Sequence, residues 1–251
     1  MRIHLLEIKY EFLKMLRLPA FVLPTLLLPI FFYLFFGVAM GQKGGVGGVG
    51  MGTYLLATYG AFGVMGASLF GFGVTVAMER GMGWLQLKRT TPMPATAYFI
   101  AKIAMAMTDS AIIVLSLFTV GTLLAHVHLA LGQAISLFGI LVFGSLCFCS
   151  LGLAIGYLAG PNSAVPIVQM IYLPMSFLSG LWVPIMFLPR PIRIIAFVLP
   201  PFHLSQLALG AVGAGRGGSA LTHVVALVVA TAIFLAVAYA GWRRDEGKVY
   251  G

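Results

Sequence analysis

The sequence predicts an all-α, polytopic membrane protein with six transmembrane helices. Of its 251 residues, 61% are hydrophobic and only 8% are Asp, Glu, Lys or Arg, whereas a soluble domain carries about 25% charged residues. The charge-free stretch 110–189 is long enough for up to three crossings of about 20 residues each. Runs such as 22–38 do not alternate polar and apolar residues as barrel strands do. A soluble globular enzyme and a disordered chain are therefore both excluded.

The first element, residues 1–18, is predicted to be an amphipathic helix that lies in the membrane interface. Apolar residues such as Leu6, Tyr10 and Leu13 recur at helical spacing, and the charged residues fall largely on the other side. Pro19 marks a break after this segment. A separate interfacial helix is therefore favoured over a cytosolic extension of the first span.

Long apolar runs then divide the chain, taken as one transmembrane domain over 1–251, into six predicted spans. The spans are residues 19–40, 54–78, 98–125, 133–159, 164–183 and 221–242.

Three of the connecting segments are distinctive. The glycine-rich stretch 41–52 predicts a flexible connector. Residues 79–97 are polar and contain prolines. Residues 184–220 are apolar but interrupted by prolines and two arginines. Broken helices are tolerated at membrane depth where they pack in protein or line a cavity, so short re-entrant helices are predicted before the last span.

Positive charge predicts the orientation of these spans. Of 15 Lys and Arg residues, only Lys43, Arg190, Arg193 and Arg216 fall on the side opposite the N-terminus. Cytoplasmic loops carry the excess of positive residues, so both termini are predicted to lie in the cytoplasm, with the chain in the inner (cytoplasmic) membrane. Dispersed basic residues without a soluble domain do not favour nucleic-acid binding.

The loop after the second span is the first candidate site. It combines an apolar face with basic residues, and prolines then impose an extended exit. Such a segment can dock into a groove of a soluble partner or anchor the chain among lipid headgroups, and the residues alone leave both open. The candidate residues are Glu79, Arg80, Gly83, Trp84, Leu85, Lys88, Arg89, Thr91 and Pro92.

The proline-rich outer segment is the second candidate site. We expect it to cap the outer end of a pathway, because a plain surface loop would expose a large apolar area. Its candidate gate residues are Phe177, Gly180, Pro184, Pro189, Pro200, Pro201 and His203.

Asp109 is the only acidic residue inside a predicted span. An intramembrane charge is costly and is a functional candidate by default. It could contact cargo or relay protons, but Lys102 lies seven residues earlier on the same helix, so a structural pairing is favoured. His126 and His128 have no carboxylate or cysteine nearby in the sequence, so no metal site is expected, and no catalytic constellation is predicted.

The two candidate segments together carry a family resemblance. The pattern before and at the third span resembles the first cytoplasmic loop of ABC-2 type transporter permeases: Glu79-Arg80, Gly83-Trp84-Leu85, Thr91-Pro92 and Ala101-Lys102. The pattern before the last span resembles that family's signature: Phe177-Leu178-Ser179-Gly180, Pro184, Leu188-Pro189 and Pro200-Pro201-Phe202-His203. The resemblance covers essentially the whole chain.

The resemblance implies the membrane subunit of an ABC exporter. Two permease chains, identical or homologous, would work with two copies of a separate ATP-binding subunit, which would hold ATP and Mg²⁺. No cofactor is expected on this chain, which is not expected to be an enzyme. Residues 79–94 would contain the helix that couples ATP hydrolysis to the spans. Membrane lipids are further expected partners, and drug-like, lipid or lipid-linked compounds are the expected cargo.

Two other functions remain as alternatives. A non-transporting membrane scaffold or assembly factor is compatible with the residues. An ion-coupled secondary transporter is less favoured, because it would need repeated halves and more ionisable residues within its spans.

Overall fold

A computed structural model describes residues 2–16, 19–39, 45–84, 87, 90, 94–215 and 218–246. Helices account for most of them, and the helices are numbered here in chain order. They are α1 (Arg2–Leu16), α2 (Pro19–Phe32), α3 (Met51–Ser68), α4 (Thr75–Gly81), α5 (Ala95–Leu123), α6 (Leu131–Leu158), α7 (Ala164–Leu178), α8 (Arg190–Ala196), α9 (Pro200–Ala211) and α10 (Ala220–Glu246). A π-helical stretch, Tyr33–Ala39, extends α2, and a second one, Leu69–Val74, joins α3 to α4. A 3₁₀ turn covers Ile185–Phe187.

Four helices within the described ranges are long and apolar enough to cross a membrane. They are Met51–Gly81, Thr96–Leu123, Leu131–Leu158 and Ala220–Arg244. Helices α8 and α9 are bent by 89° and would count as a fifth span if taken together. The structure therefore supports an all-α, multi-pass membrane protein with four or five candidate spans, and six spans stay a prediction.

The predicted first and fifth spans are represented by shorter apolar helices, Thr25–Ala39 and Ala164–Leu178. The fifth ends at Leu178 and not at residue 183, as the sequence predicts. Gly180 follows with a φ of +73°, a left-handed conformation that glycine adopts without strain. A Cβ at this position would also lie 3.1 Å from the Cβ of Ile185. The turn at Gly180 thus ends the helix within an apolar run.

The helical run Met51–Gly81 is the centre of the bundle, because 83% of its most apolar stretch is buried within the chain, compared with 17% for Ala220–Arg244. Small residues allow this close packing. A Cβ added to Gly73 would lie 2.9 Å from the carbonyl oxygen of Gly152. The second and fourth predicted spans therefore meet backbone to backbone, as small residues permit in membrane helices.

Two smaller elements complete the fold. Within the predicted flexible connector, Gly45–Val46 and Val49–Gly50 pair as a short antiparallel hairpin, so this part of the connector is ordered by strand pairing. Helix α1 occupies most of the predicted N-terminal segment. Its Leu5 and Tyr10 are exposed and its Glu11 is buried, so the acidic side faces the bundle. Its location in the membrane interface stays a prediction.

Candidate functional site

Glu79, in the last turn of α4, is the centre of a buried polar network. Its side chain is almost fully buried. The hydroxyl of Tyr98 donates to Oε2 at 2.7 Å, and Nζ of Lys102 donates to Oε1 at 2.8 Å. Lys14 of α1 also bonds to Oε1. One carboxylate thus binds groups from α1 and α5 at the end of the central helical run.

Lys102 is the second member of the network and is equally buried. Besides Glu79 it bonds to Oε2 of Glu11 at 2.9 Å, and its Nζ lies 3.3 Å from the hydroxyl of Thr75. The formal charges of Glu11, Glu79, Lys14 and Lys102 cancel. Buried charges are tolerated in a protein when they are paired and hydrogen-bonded in this way.

This arrangement differs from the pairing favoured by the sequence. No ion pair or hydrogen bond joins Lys102 to Asp109. Lys102 instead bonds to α1 and α4, and Asp109 lies two turns further along α5, 7% exposed. Seven residues of helix separate the two by about 10 Å along the axis. The structure thus separates two residues that the sequence treats as a possible pair.

Arg80 contacts a further helix, the C-terminal end of α6. Its guanidinium donates to the carbonyl oxygens of Tyr157 and Ala159, the second at 2.6 Å. These carbonyls lie at the C-terminal end of α6, where the last peptide groups lack helical partners and carry partial negative charge. A Cβ on Gly81 would lie 2.5 Å from Cγ of Pro161. The end of α4 is therefore fixed to the turn that follows α6.

The exposed part of the loop begins directly after α4. Gly83 has a φ of +74°, and the amide of Leu87 donates to its carbonyl at 3.1 Å, the i to i+4 spacing of a helix. Met82, Trp84 and Leu87 are 59%, 50% and 68% exposed. The ammonium of Lys14 lies 5.6 Å from the centre of the Trp84 ring. The other predicted loop residues lie outside the described residues: Leu85, Lys88, Arg89, Thr91 and Pro92.

The outer candidate residues occupy turns and helix starts. Phe177 is at the end of α7, Gly180 is in the following turn, Pro184 precedes the 3₁₀ turn, Pro189 precedes α8, and Pro200 and Pro201 begin α9. Proline suits the first helical positions because its missing N–H has no helical partner there. The short helices predicted for this segment are thus present, and a re-entrant path through the membrane stays a prediction.

His203 bridges the outer helices. Its Nε2 lies 3.0 Å from the carbonyl oxygen of Phe197, and its Nδ1 lies 2.9 Å from Nδ1 of His223 on α10. A carbonyl only accepts, so His203 donates from Nε2 and accepts from His223 at Nδ1. The imidazole pair therefore joins α9 to the start of the last span.

Trp182 is an outer residue that sequence reasoning did not select. Its ring packs 5.1 Å from that of Phe32 and 5.7 Å from that of Phe62, and its carbonyl accepts a hydrogen bond from Tyr59 at 3.3 Å. It therefore connects the outer turn to the first and second predicted spans. The sequence signal for this packing role is the position of Trp182 between Gly180 and Pro184, because a large aromatic residue in a tight turn needs a packing partner.

Comparison with known proteins identifies the family. The family model described as ABC-2 type transporter matches residues 5–212, which include the Glu79 network and the outer segment through His203. The chain belongs to the ABC-2 type transporter family. It is also 27% identical over 220 residues, 88% of each chain, to a Bacillus subtilis (strain 168) protein named "Putative transport permease YvfS".

As an ABC-2 type permease, the chain is a multi-pass membrane transport protein of a family that generally works with ATP-binding subunits. The charged groups of its network are bonded to one another, and within the described ranges no three His, Cys, Asp or Glu side chains are grouped to hold a metal. The bonds of Glu79 and Arg80 tie the base of an exposed loop to three neighbouring helices, α1, α5 and α6.

Proposed function

We propose that this chain is the permease subunit of an ATP-driven exporter. It works as a dimer in the cytoplasmic membrane, with both termini in the cytoplasm, and it is coupled to a separate ATP-binding subunit that holds ATP and Mg²⁺. The chain itself forms the translocation pathway and does not hydrolyse ATP. A drug-like, lipid or lipid-linked amphipathic compound is the cargo.

One observation carries this proposal: the buried Glu79 and the half-buried Arg80 stand directly before the exposed apolar residues Met82, Trp84 and Leu87. Three large apolar side chains grouped at the end of a span favour contact with another protein. We assign the docking surface of the ATP-binding subunit to these three residues, which we call the docking turn.

The bonds of Glu79 and Arg80 give this docking turn a mechanical role. A displacement of the turn moves α4, because Met82 directly follows the last residue of that helix. Glu79 transmits the movement to α1 and α5 through Lys14 and Lys102. Arg80 transmits it to the end of α6. A single docking event can therefore move four helices together.

The dimer is supported by a face on α7 that the described residues of the chain leave exposed. Its exposed residues recur every three or four positions along the whole helix, which makes one continuous stripe. The stripe comprises Val165, Pro166, Gln169, Met170, Leu173, Pro174 and Phe177. We propose that this face and the exposed side of α2 border the pathway between two copies, with the central helical run behind them.

Co-purification tests the proposal. The tagged chain, isolated from native membranes in mild detergent, is expected to retain an ATP-binding subunit in equal copies and ATPase activity. Leu87→Asp places a charge in the docking turn and is expected to lose both. The matched control is Leu131→Asp, which alters a similarly exposed leucine, 77% exposed, at the other end of the bundle and should retain both.

The second arm measures coupling. In the isolated complex, Trp84→Ala combined with Arg89→Ala should leave basal ATP hydrolysis intact and abolish its stimulation by cargo. Normal stimulation of this variant, or wild-type association of Leu87→Asp, would overturn the assignment of the docking turn. Absence of any ATPase from the wild-type preparation would favour the scaffold alternative.

A further inference from the structure

Asp109 is a buried carboxyl group that the network at Glu79 does not use. It is 7% exposed on α5, and among the residues that the structure describes no hydrogen-bond partner reaches its Oδ1. A Cβ added to Gly71 would lie 3.5 Å from its Oδ2, an ordinary contact distance. The absence of a side chain at Gly71 therefore leaves room for a methyl-sized group directly beside the carboxyl group.

The backbone around Gly71 is irregular. Gly71 lies in the π-helical stretch Leu69–Val74, and single π-helical turns occur frequently at functional sites. The hydroxyl of Thr75 donates to the Gly71 carbonyl at 2.6 Å and lies 3.3 Å from Nζ of Lys102. Polar contacts thus run from Lys102 of the Glu79 network through Thr75 to the carbonyl group of Gly71, which lies next to Asp109.

Apolar residues lie close to Gly71 and Asp109 along the two helices. Phe72 of the π-helical stretch and Ala106, one turn before Asp109, belong to one buried apolar cluster. In such surroundings a carboxylate without a partner is costly, and an approaching cation gains a strong interaction. The chain's own buried lysine, Lys102, bonds to Glu79 and Glu11 instead.

We propose that Asp109 binds the positively charged group of a cationic amphipathic cargo. The inference rests on the proposed export function and narrows its cargo class. The carboxylate pairs with the cation, the space beside Gly71 admits it, and the neighbouring apolar side chains contact the hydrophobic body of the cargo.

A pair of probes with the same shape and opposite charge tests this inference. Binding of tetraphenylphosphonium and of tetraphenylborate is measured with the full-length chain in phosphatidylcholine nanodiscs. Asp109→Asn should weaken tetraphenylphosphonium binding about ten- to a hundredfold, the range expected for a lost charge-assisted contact. It should leave tetraphenylborate binding unchanged, and Asp109→Glu should retain most of the affinity for the cation.

Two controls separate local charge from folding and net charge. Asp109→Asn removes a buried charge and should unfold at the wild-type temperature or above it. Asp245→Asn makes the same change in net charge near the end of α10 and should bind tetraphenylphosphonium as the wild type does.

Equal tetraphenylphosphonium affinity of wild type and Asp109→Asn would overturn the inference. So would absence of tetraphenylphosphonium binding to the wild type, or a parallel loss of tetraphenylborate binding in the variant. These measurements need no ATP-binding subunit. Their failure is therefore distinguishable from failure of the co-purification experiment, which tests the exporter proposal itself.

Discussion

Replacement of Lys102 by methionine is expected to destabilise the protein strongly. Lys102 is a buried cation that bonds to two carboxylates, Glu79 at 2.8 Å and Glu11 at 2.9 Å. Methionine has a similar shape but no charge, so the variant retains packing and loses the ion pairs. Glu11 and Glu79 then lose their shared cation, and the four-charge network acquires a net charge of −1.

Removal of one partner from a buried ion pair costs about 3–5 kcal/mol. For a chain of this length each kcal/mol lowers the unfolding temperature by about 2–4 °C, so the expected decrease is about 6–20 °C. Thermal unfolding of the purified chain in nanodiscs, followed by tryptophan fluorescence, measures this decrease.

Two further variants distinguish charge from packing. Lys9→Met removes the same charge from an exposed position of α1 and should change stability by less than about 0.5 kcal/mol. Adding Glu11→Gln to Lys102→Met restores neutrality and should recover part of the loss, a coupling of about 0.5–3 kcal/mol. If Lys102→Met unfolds within 2 °C of Lys9→Met, roughly the effect of 1 kcal/mol or less, the network does not hold α1 to the bundle.

Two other variants test the packing of the central run and the outer bridge. Gly73→Ala should cost about 1–3 kcal/mol in thermal unfolding, because its Cβ would press on the Gly152 backbone; Gly139→Ala, with no atom within 4 Å of the added Cβ, should not destabilise, and equal effects would contradict the close helix contact. His203→Leu and His223→Leu should each cost about 1–3 kcal/mol, and the double variant should cost less than their sum; strict additivity in the mutant cycle would show that the imidazoles do not interact.

The sequence marks the site at Glu79 but not its partners. Glu79 and Arg80 stand out because they end a long charge-free stretch. Helical periodicity gives the exposed and buried faces of a segment, not the identity of its neighbour. Glu11 and Lys102 are 91 residues apart, and Arg80 binds backbone carbonyls that every residue possesses. Neither contact has a sequence signal of its own.

Hydropathy predicts apolar segments well and their ends less well. The predicted span 164–183 remains apolar beyond Leu178, yet the turn at Gly180 ends the helix there. Backbone dihedrals, not average apolarity, decide where a helix stops. The same limitation applies to residues 45–50, where glycine content predicts a flexible connector and strand pairing produces a hairpin.

The separation of Lys102 from Asp109 has an energetic reason that links the two sites. If Lys102 paired with Asp109, Glu79 would keep its bond to Lys14, whose side chain is 32% exposed, but Glu11 and Glu79 would both lose their bonds to the buried Lys102. With Lys102 at Glu79, the four charges cancel and the loop base is fixed to α1 and α5. Lys14 and Lys102 then do not pair with Asp109, whose carboxylate can bind another cation. Under the proposed function, a cation delivered by the cargo would neutralise Asp109 only while the cargo is bound. The proposed cargo-binding charge would then lie apart from the charges that fix the loop at Glu79.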